Sequence, residues 1–138
     1  MIVVDVNIVA YLLIEGEKTD LARAFWEREN DWHLPQLWIH EFLNLLATSE
    51  RAGHLKLTRC LEVLGAAWTL FDSKTHLVDP RETLRVASRY RLTAYDAQYV
   101  ALAQSMQTLL ISEDGKLRRA VPGCVRSMRS FLAPDVSE

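Results

Sequence analysis

The sequence predicts a single α/β domain built around a mostly parallel β-sheet. Its length of 138 residues is typical of one domain with one hydrophobic core. With 49% hydrophobic and 25% charged residues, its composition is that of an ordinary globular protein. Short β-type runs alternate with longer helical runs along the chain, and this alternation predicts an α/β sandwich with a mostly parallel sheet.

Four short runs are predicted to be β-strands. The first, 2–4, is a β-branched run of the kind that is buried in parallel sheets. The second, Trp32-His33-Leu34, ends before Pro35, and the third is the apolar run 108–111. Cys124-Val125 is the candidate for a last strand.

Helices are predicted between these strands from apolar spacing and from capping residues. One helix is expected to begin directly after the first strand, with Asp5 or Asn7 near its cap. Asp79, Pro80 and Glu82 have the spacing of a helix start with a capping box. The other predicted helical spans are 19–29, 37–51, 58–71, 80–89 and 95–106.

Two acidic residues are expected at one edge of this sheet. Asp5 follows the first strand, and Asp114 lies in a predicted loop, 112–115, that follows a later strand. In open parallel sheets, ligands bind beyond the carboxyl ends of the strands, near the point where the strand order reverses. Both carboxylates are therefore expected on the functional edge.

Glu41 is a candidate for a different reason. It lies in a predicted helix that is apolar on most of its circumference, so its side chain is expected to point at least partly inward. A buried carboxylate needs a partner, because otherwise it stays protonated. A metal ion is one such partner, and an arginine is another.

Each acid taken alone also has a structural explanation. Asp5 can cap a helix, Asp96 can complete a capping box that starts at Thr93, and Asp114 can belong to an Asp-Gly turn. Glu113, the competing acid, is expected to point to solvent. Four acids at strand ends, at a helix start and in an apolar helix together favour a shared acidic site. Carboxylates suit Mg²⁺ or Mn²⁺, and such ions promote phosphodiester hydrolysis by activating water and by stabilising the leaving oxygen.

The distribution of charge limits which binding partners the sequence indicates. The formal net charge of −2 does not by itself indicate nucleic-acid binding, but the charge is unevenly distributed. Residues 1–50 carry three basic and nine acidic side chains, whereas residues 51–138 carry thirteen basic and nine acidic side chains. A basic half can contact phosphate while an acidic cluster holds cations, although an unevenly charged solvated surface would give the same counts.

No run is long and apolar enough to cross a bilayer, and Cys60 and Cys124 form no motif. We therefore expect a reduced, cytoplasmic protein without a membrane partner.

Four blocks of the sequence occur in a recognisable order. They are Val3-Val4-Asp5-Val6-Asn7, Glu41 in its apolar helix, Asp96-Ala97-x-Tyr99-x-Ala101-Leu102-Ala103 and Leu110-Ile111-Ser112-x-Asp114. In this order the chain resembles the PIN-domain family, and within it the VapC toxins of bacterial type II toxin–antitoxin systems, from residue 2 to about residue 131. One departure is Leu117, where the family often has an aromatic residue.

This resemblance implies both a fold and an activity. The fold would be a three-layer α/β/α sandwich with a parallel sheet, and the activity that of a Mg²⁺-dependent endoribonuclease acting on tRNA or rRNA. The partners would be a second copy of the chain, in a homodimer, and a VapB-like antitoxin whose tail blocks the acidic site. The implied catalytic and metal-holding residues are Asp5, Glu41, Asp96 and Asp114, supported by Asn7 and Ser112.

Basic and aromatic residues leave alternatives open. Lys116, Arg118 and Arg119 are candidates for steering RNA phosphate, or they lie on a solvated helix. Trp38 and Trp68 are favoured as core or dimer-interface residues over platforms for RNA bases. The residues considered for that interface are Leu61, Leu64 and Trp68.

Two other classes of function are compatible with parts of the pattern. A catalytically silent module could bind RNA or a partner without cutting, although the presence of all four acids argues against it. A phosphotransfer fold fits less well, because Asp5-x-Asn7 lacks a second Asp and Lys116 is poorly placed for a receiver-type lysine. The geometry of the acids distinguishes these classes, since a nuclease needs carboxylates that converge on a metal.

Overall fold

A five-stranded parallel sheet forms the centre of the computed structural model, which describes residues 1–134. Its strands are β1 (Ile2–Val4), β2 (Trp32–Pro35), β3 (Thr75–His76), β4 (Leu110–Ile111) and β5 (Val125–Arg126). Their order across the sheet is β3-β2-β1-β4-β5, and every neighbouring pair is parallel. The predicted α/β class with a parallel sheet is confirmed.

Helices flank the sheet and complete a three-layer sandwich. The small side chains of Ala97, Ala101 and Ala103 are buried and let α6 approach β1, β2 and β4 closely. On β2, Trp32 packs against α2 and α4. The helices are α1 (Val6–Leu13), α2 (Thr19–Arg28), α3 (Trp38–Arg51), α4 (Leu57–Phe71), α5 (Pro80–Tyr90), α6 (Ala94–Ser105), α7 (Gly115–Ala120) and α8 (Met128–Leu132).

The strand order reverses at β1, and this reversal positions the site. From β1 the chain adds β2 and β3 on one side, and it returns to add β4 and β5 on the other. Val4, the last residue of β1, pairs with Ile111, the last residue of β4. The residues that follow these two strands therefore emerge side by side at the switch point, where parallel sheets bind their ligands.

Aromatic side chains fill much of the core. The Trp32 ring stacks on Phe25 at 5.1 Å and on Phe71 at 6.0 Å between centroids, and Trp26 meets Trp32 edge-on at 4.9 Å. Trp38 is also buried, which confirms it as a core residue. Because Trp32 and Trp38 are both buried, neither ring has an exposed face on which an RNA base could stack.

A polar cluster lies beside this core, at β2 and β3. Lys74 Nζ donates to Asp31 Oδ1 at 2.7 Å, and His33 Nε2 lies 2.8 Å from the same oxygen. His33 Nδ1 and His76 Nε2 share a hydrogen bond of 2.7 Å. We call these four residues, Asp31, His33, Lys74 and His76, the Asp31 cluster.

The sequence-based boundaries need several corrections. β3 was not predicted, because two polar, half-buried residues carry no strand pattern of their own. β4 begins at Leu110, two residues later than expected, and β5 is shifted by one residue to Val125–Arg126. The predicted loop 112–115 is shorter than expected, because Asp114 caps a helix that begins at Gly115. The last four residues of the predicted domain, 135–138, lie outside the described residues.

Cys60 and Cys124 are buried free thiols. Among residues 1–134, each helix is too short or too polar to span a bilayer.

Candidate active site

Asp5 lies at the centre of the switch point. It follows β1 in extended conformation and caps α1, where its Oδ1 accepts a hydrogen bond from the Asn7 backbone N–H at 2.9 Å. Its Oδ2 accepts from Ser112 Oγ at 2.5 Å. Because Ser112 follows β4, this bond connects the ends of the two central strands. The capping role expected for Asp5 is therefore confirmed, and the same side chain lies at the switch point.

Burial makes the ionised form of Asp5 costly. The residue is only 9% exposed, and its burial raises the pKa of the Asp5 carboxyl to about 6. The hydrogen bonds from Ser112 and Asn7 act in the opposite direction, and the negative charge of Glu41 adds to the increase. Two hydrogen bonds do not compensate for the lost solvation, and no cation is among the causes of the shift.

Glu41 lies in the first turn of α3 and is half-buried, as expected. Tyr99 donates its phenolic hydrogen to Glu41 Oε1 at 2.6 Å. Burial raises the pKa of the Glu41 carboxyl, the Tyr99 hydrogen bond lowers it, and the charge of Asp96 raises it further. The arginine partner considered from the sequence is not found for Glu41 among the described residues, and a phenol takes that place.

Asp96 and Asp114 complete the acidic edge from two helix starts. Thr93 caps α6, and its Oγ1 accepts from the Asp96 backbone N–H at 3.1 Å. Burial, followed by the charge of Asp114, raises the pKa of the half-buried Asp96 carboxyl. Asp114 is exposed and caps α7, where its Oδ1 accepts from the backbone N–H of Lys116 at 2.9 Å.

The four acids form a row in which three of the carboxylates each raise the pKa of the next one. Glu41 acts on Asp5, Asp96 acts on Glu41, and Asp114 acts on Asp96. Within residues 1–134, none of the four forms an ion pair with a basic side chain. The row is therefore a concentration of uncompensated negative charge.

The donor set suits a hard divalent cation. It consists of carboxylate oxygens with one serine hydroxyl, without thiolate or imidazole, as Mg²⁺ and Mn²⁺ prefer. In the part of the chain that the structure describes, however, no three His, Cys, Asp or Glu side chains converge closely enough to form a metal site. The acids are neighbours in a row, and a cation that bridged them would have to draw them together.

The supporting residues differ in how far they match their expected roles. Ser112 Oγ accepts from the Asp114 backbone N–H at 3.1 Å and donates to Asp5, so it contacts two of the acids that it was expected to support. The Asn7 side chain is exposed beside the acids. Tyr99 was noted only as part of a family block. Its spacing of three residues from Asp96 on one helix was the signal that placed it on the same face.

The expectation that Glu113 points to solvent is wrong. Its side chain is 16% exposed, and its Oε1 accepts from the Met128 backbone N–H at 2.9 Å. Lys18 approaches Glu113 Oε2 at 3.9 Å. Glu113 therefore accepts a hydrogen bond from a backbone N–H in the first turn of α8, and it lies outside the acidic row.

The three basic candidates separate into two groups. Arg118 Nη1 donates to the Ser112 carbonyl oxygen at 3.2 Å, so this side chain supports the loop after β4. Lys116 and Arg119 are exposed on α7, directly after Asp114. They are the basic residues of this helix that remain accessible to a ligand.

Comparisons with known proteins extend over nearly the whole chain. The PIN domain family profile matches residues 2–121. Ribonuclease VapC3 of Pyrobaculum aerophilum is 28% identical over 127 residues, which cover 90% of this chain and 97% of that protein. The crystal structure of PAE2754 from Pyrobaculum aerophilum superposes with a TM-score of 0.74 at 25% identity, covering 95% of this chain and 92% of its own.

A more distant neighbour shares the fold alone. A chain from a toxin–antitoxin complex of Klebsiella pneumoniae has a TM-score of 0.65 at 18% identity, covering 93% of this chain and 98% of its own. Since the family profile spans all four acids and most of the sequence, the resemblance predicted from the four blocks is confirmed, and the chain belongs to the PIN domain family.

Proposed function

We propose that this chain is a metal-dependent endoribonuclease and the toxin of a VapBC-type toxin–antitoxin pair. The observation that carries the proposal is the row of four carboxylates at the switch point, which lacks a basic partner within residues 1–134. The 28% identity to a protein named Ribonuclease VapC3 supports the same reaction class. A row of this kind is destabilising for the metal-free fold, so its presence points to a use for the charge.

The four acids and Ser112 would have different roles in metal binding and catalysis. Asp5, Asp96 and Asp114 would hold Mg²⁺ or Mn²⁺, and Glu41 would help directly or through a water. A bound ion of this type activates water for attack on phosphorus and stabilises the leaving oxygen. Ser112 keeps the Asp5 carboxylate oriented across the end of β4.

The surroundings of the row offer contacts for an RNA backbone. A groove of about 390 Å³ opens beside Glu41, and Asn7, Asn44 and Thr48 contribute polar side chains to it. Lys116 and Arg119 would add positive charge near Asp114, where it attracts phosphate. The substrates that we propose, tRNA or rRNA, follow from the resemblance to VapC toxins.

The expected partners remain part of the proposal. A VapB-like antitoxin would bind this chain and block the acidic row. A second copy would form a homodimer, for which exposed apolar side chains are available on α4: Leu61 is 59% exposed and Trp68 is 50% exposed. Leu64, the third residue considered for that interface, is partly buried against the core.

Cleavage of total tRNA and rRNA by the purified protein tests the reaction. Discrete fragments that depend on Mg²⁺ and disappear with Asp96→Asn would support a ribonuclease at this site. Asn has the volume of Asp and can keep the helix start at Thr93, so the variant removes charge with little change of shape. Mg²⁺-independent cleavage, or cleavage that survives in Asp96→Asn, would contradict the proposal.

One observation favours a second candidate function, that of a catalytically silent RNA- or partner-binding module. Within residues 1–134 the acids do not converge into a group that could hold a metal ion. RNA binding without cutting, at high protein concentration and with Mn²⁺ also tried, would favour this alternative.

A further inference from the structure

The phenol of Tyr99 lies inside the acidic row, although it is not an acid of the predicted site. The residue is on α6, three positions after Asp96, and it is only 3% exposed. Its hydroxyl donates to Glu41 Oε1 at 2.6 Å, across the gap between α6 and α3. This contact joins the two helices that carry Asp96 and Glu41.

The orientation of this hydrogen bond follows from its surroundings. An ordinary phenol titrates near pH 10, so Tyr99 keeps its proton and acts as a donor at neutral pH. Burial and the neighbouring Glu41 carboxylate raise the pKa of Tyr99 further. The hydroxyl therefore donates to the ionised carboxylate on α3, which can only accept.

Glu41 depends on this one contact more than Asp5 or Asp114 depends on any one of its own. Asp5 is held by two hydrogen bonds, from Ser112 and from the Asn7 backbone, and Asp114 accepts two bonds from its own helix. Glu41 has a longer side chain with more rotamers, and within residues 1–134 the Tyr99 hydroxyl is its single hydrogen-bond partner. Without the hydroxyl, nothing described in the structure would fix the carboxylate.

We propose that Tyr99 is a positioning residue that holds Glu41 Oε1 and so restricts the rotamers of a carboxylate that would help to bind a divalent cation. This inference rests on the proposed metal-dependent function and names one residue that sets its metal affinity. The bond orders the Glu41 side chain before the cation arrives, so less conformational entropy is lost when the cation binds. Hydrogen-bond partners of metal ligands have this effect in general, and losing one typically weakens metal affinity about 10- to 100-fold.

Tyr99→Phe removes the hydroxyl and keeps the ring in its buried position. Titration calorimetry with Mn²⁺ alone is expected to show affinity about tenfold weaker than in the wild type. The cleavage rate at saturating Mn²⁺ should fall by less than about threefold, because Tyr99 acts on binding through Glu41 and does not touch the substrate. Tyr90→Phe is the matched control, since within residues 1–134 it removes a hydroxyl whose one hydrogen-bond partner is Gln104, near the end of α6, and it should leave Mn²⁺ affinity unchanged.

A double-mutant cycle tests whether Tyr99 acts through Glu41. In a Glu41→Gln background, adding Tyr99→Phe should weaken Mn²⁺ affinity by less than about twofold, because the carboxylate that Tyr99 positions is already gone. Circular dichroism checks the fold of each variant, and Tyr99→Met replaces the Phe variant if that chain does not fold.

Three results would overturn the inference. Unchanged Mn²⁺ affinity in Tyr99→Phe, with the wild type binding Mn²⁺ and cleaving RNA, would reject the positioning role while leaving the proposed function intact. Full additivity in the Glu41→Gln background would show that Tyr99 acts by another route. A wild type that binds no Mn²⁺ would remove the metal-dependent function and this inference with it.

Discussion

The acidic row and the Asp31 cluster show two ways in which one sheet places carboxylates. In the Asp31 cluster, Lys74 and then His33 compensate the charge, and together they hold the pKa of Asp31 below its usual value. In the row, burial and neighbouring acids raise the pKa values of Asp5, Glu41 and Asp96. A carboxylate that only stabilises the fold has its counter-charge in the chain. Within residues 1–134 the carboxylates of the row lack one, and the divalent cation that we propose would supply it.

A matched pair of substitutions, one in the acidic row and one in the Asp31 cluster, compares the two regions by their effect on the rate of RNA cleavage. We expect the largest effect here. Asp5→Asn should reduce RNA cleavage at least about a thousandfold, equivalent to about 4 kcal/mol in the activation free energy, because it removes a carboxylate from the proposed metal site. Asp31→Asn should change cleavage by less than about threefold, since its neighbours are internal to the fold. Initial rates with saturating Mg²⁺ provide the measurement, and similar losses in both variants would contradict the distinction.

In the metal-free protein, the free energy of unfolding should depend on pH in opposite directions for the acidic row and for the Asp31 cluster. The Asp5 carboxyl has a pKa of about 6 in the fold against 3.8 in the unfolded chain, so the folded state binds the extra proton. Its contribution to stability therefore falls as the pH rises from about 4 to about 6. The full cost, about 3 kcal/mol, is present above that range.

Asp5→Asn removes this cost without removing the side chain. Urea unfolding in EDTA should show a variant more stable than the wild type by up to about 3 kcal/mol at pH 7 and by little at pH 4. Saturating Mg²⁺ should reduce the gain or reverse it, because a ligand that binds only the folded wild type stabilises it. A variant less stable than the wild type at pH 7 in EDTA would mean that Asp5 is mainly a structural cap.

The comparison also explains which parts of the structure the sequence could predict. Asp5 was predictable because a buried β-branched run followed by a capping residue is a local pattern. Glu41 was predictable because an acid in an apolar helix needs a partner. The partner itself, Tyr99, is 58 residues away in the sequence, and only the packing of α6 beside α3 brings its hydroxyl to Glu41.

The errors share the same origin in contacts between distant segments. Strand β3 exists because Thr75 and His76 pair with Leu34 and Pro35, and a two-residue strand has no periodicity of its own. Glu113 was expected in solvent, but the start of α8 supplies a backbone N–H that lies 15 residues further along the chain. Local propensity predicted elements and caps, whereas these partners depend on tertiary structure.

The smallest predicted effect concerns the Asp31 cluster itself. The Asp31 and Lys74 side chains are 41% and 39% exposed, so solvent screens their attraction strongly. Asp31→Asn should therefore cost less than about 1 kcal/mol of unfolding free energy at pH 7. Since the pKa of Asp31 is lowered in the fold, its contribution exists above the usual value of 3.8 and disappears as the pH falls through the folded pKa.

Urea unfolding at pH 7 and pH 3, each with and without 0.5 M NaCl, measures this contribution, and salt should reduce it further because the pair is accessible to ions. Mn²⁺ affinity in Asp31→Asn should equal that of the wild type. A loss above about 2 kcal/mol, outside the range of exposed ion pairs, would mean that the cluster holds β2 and β3 together far more strongly than its exposure implies. A change in Mn²⁺ affinity would mean that its charge reaches the switch point, and the division between compensated and uncompensated carboxylates would then fail.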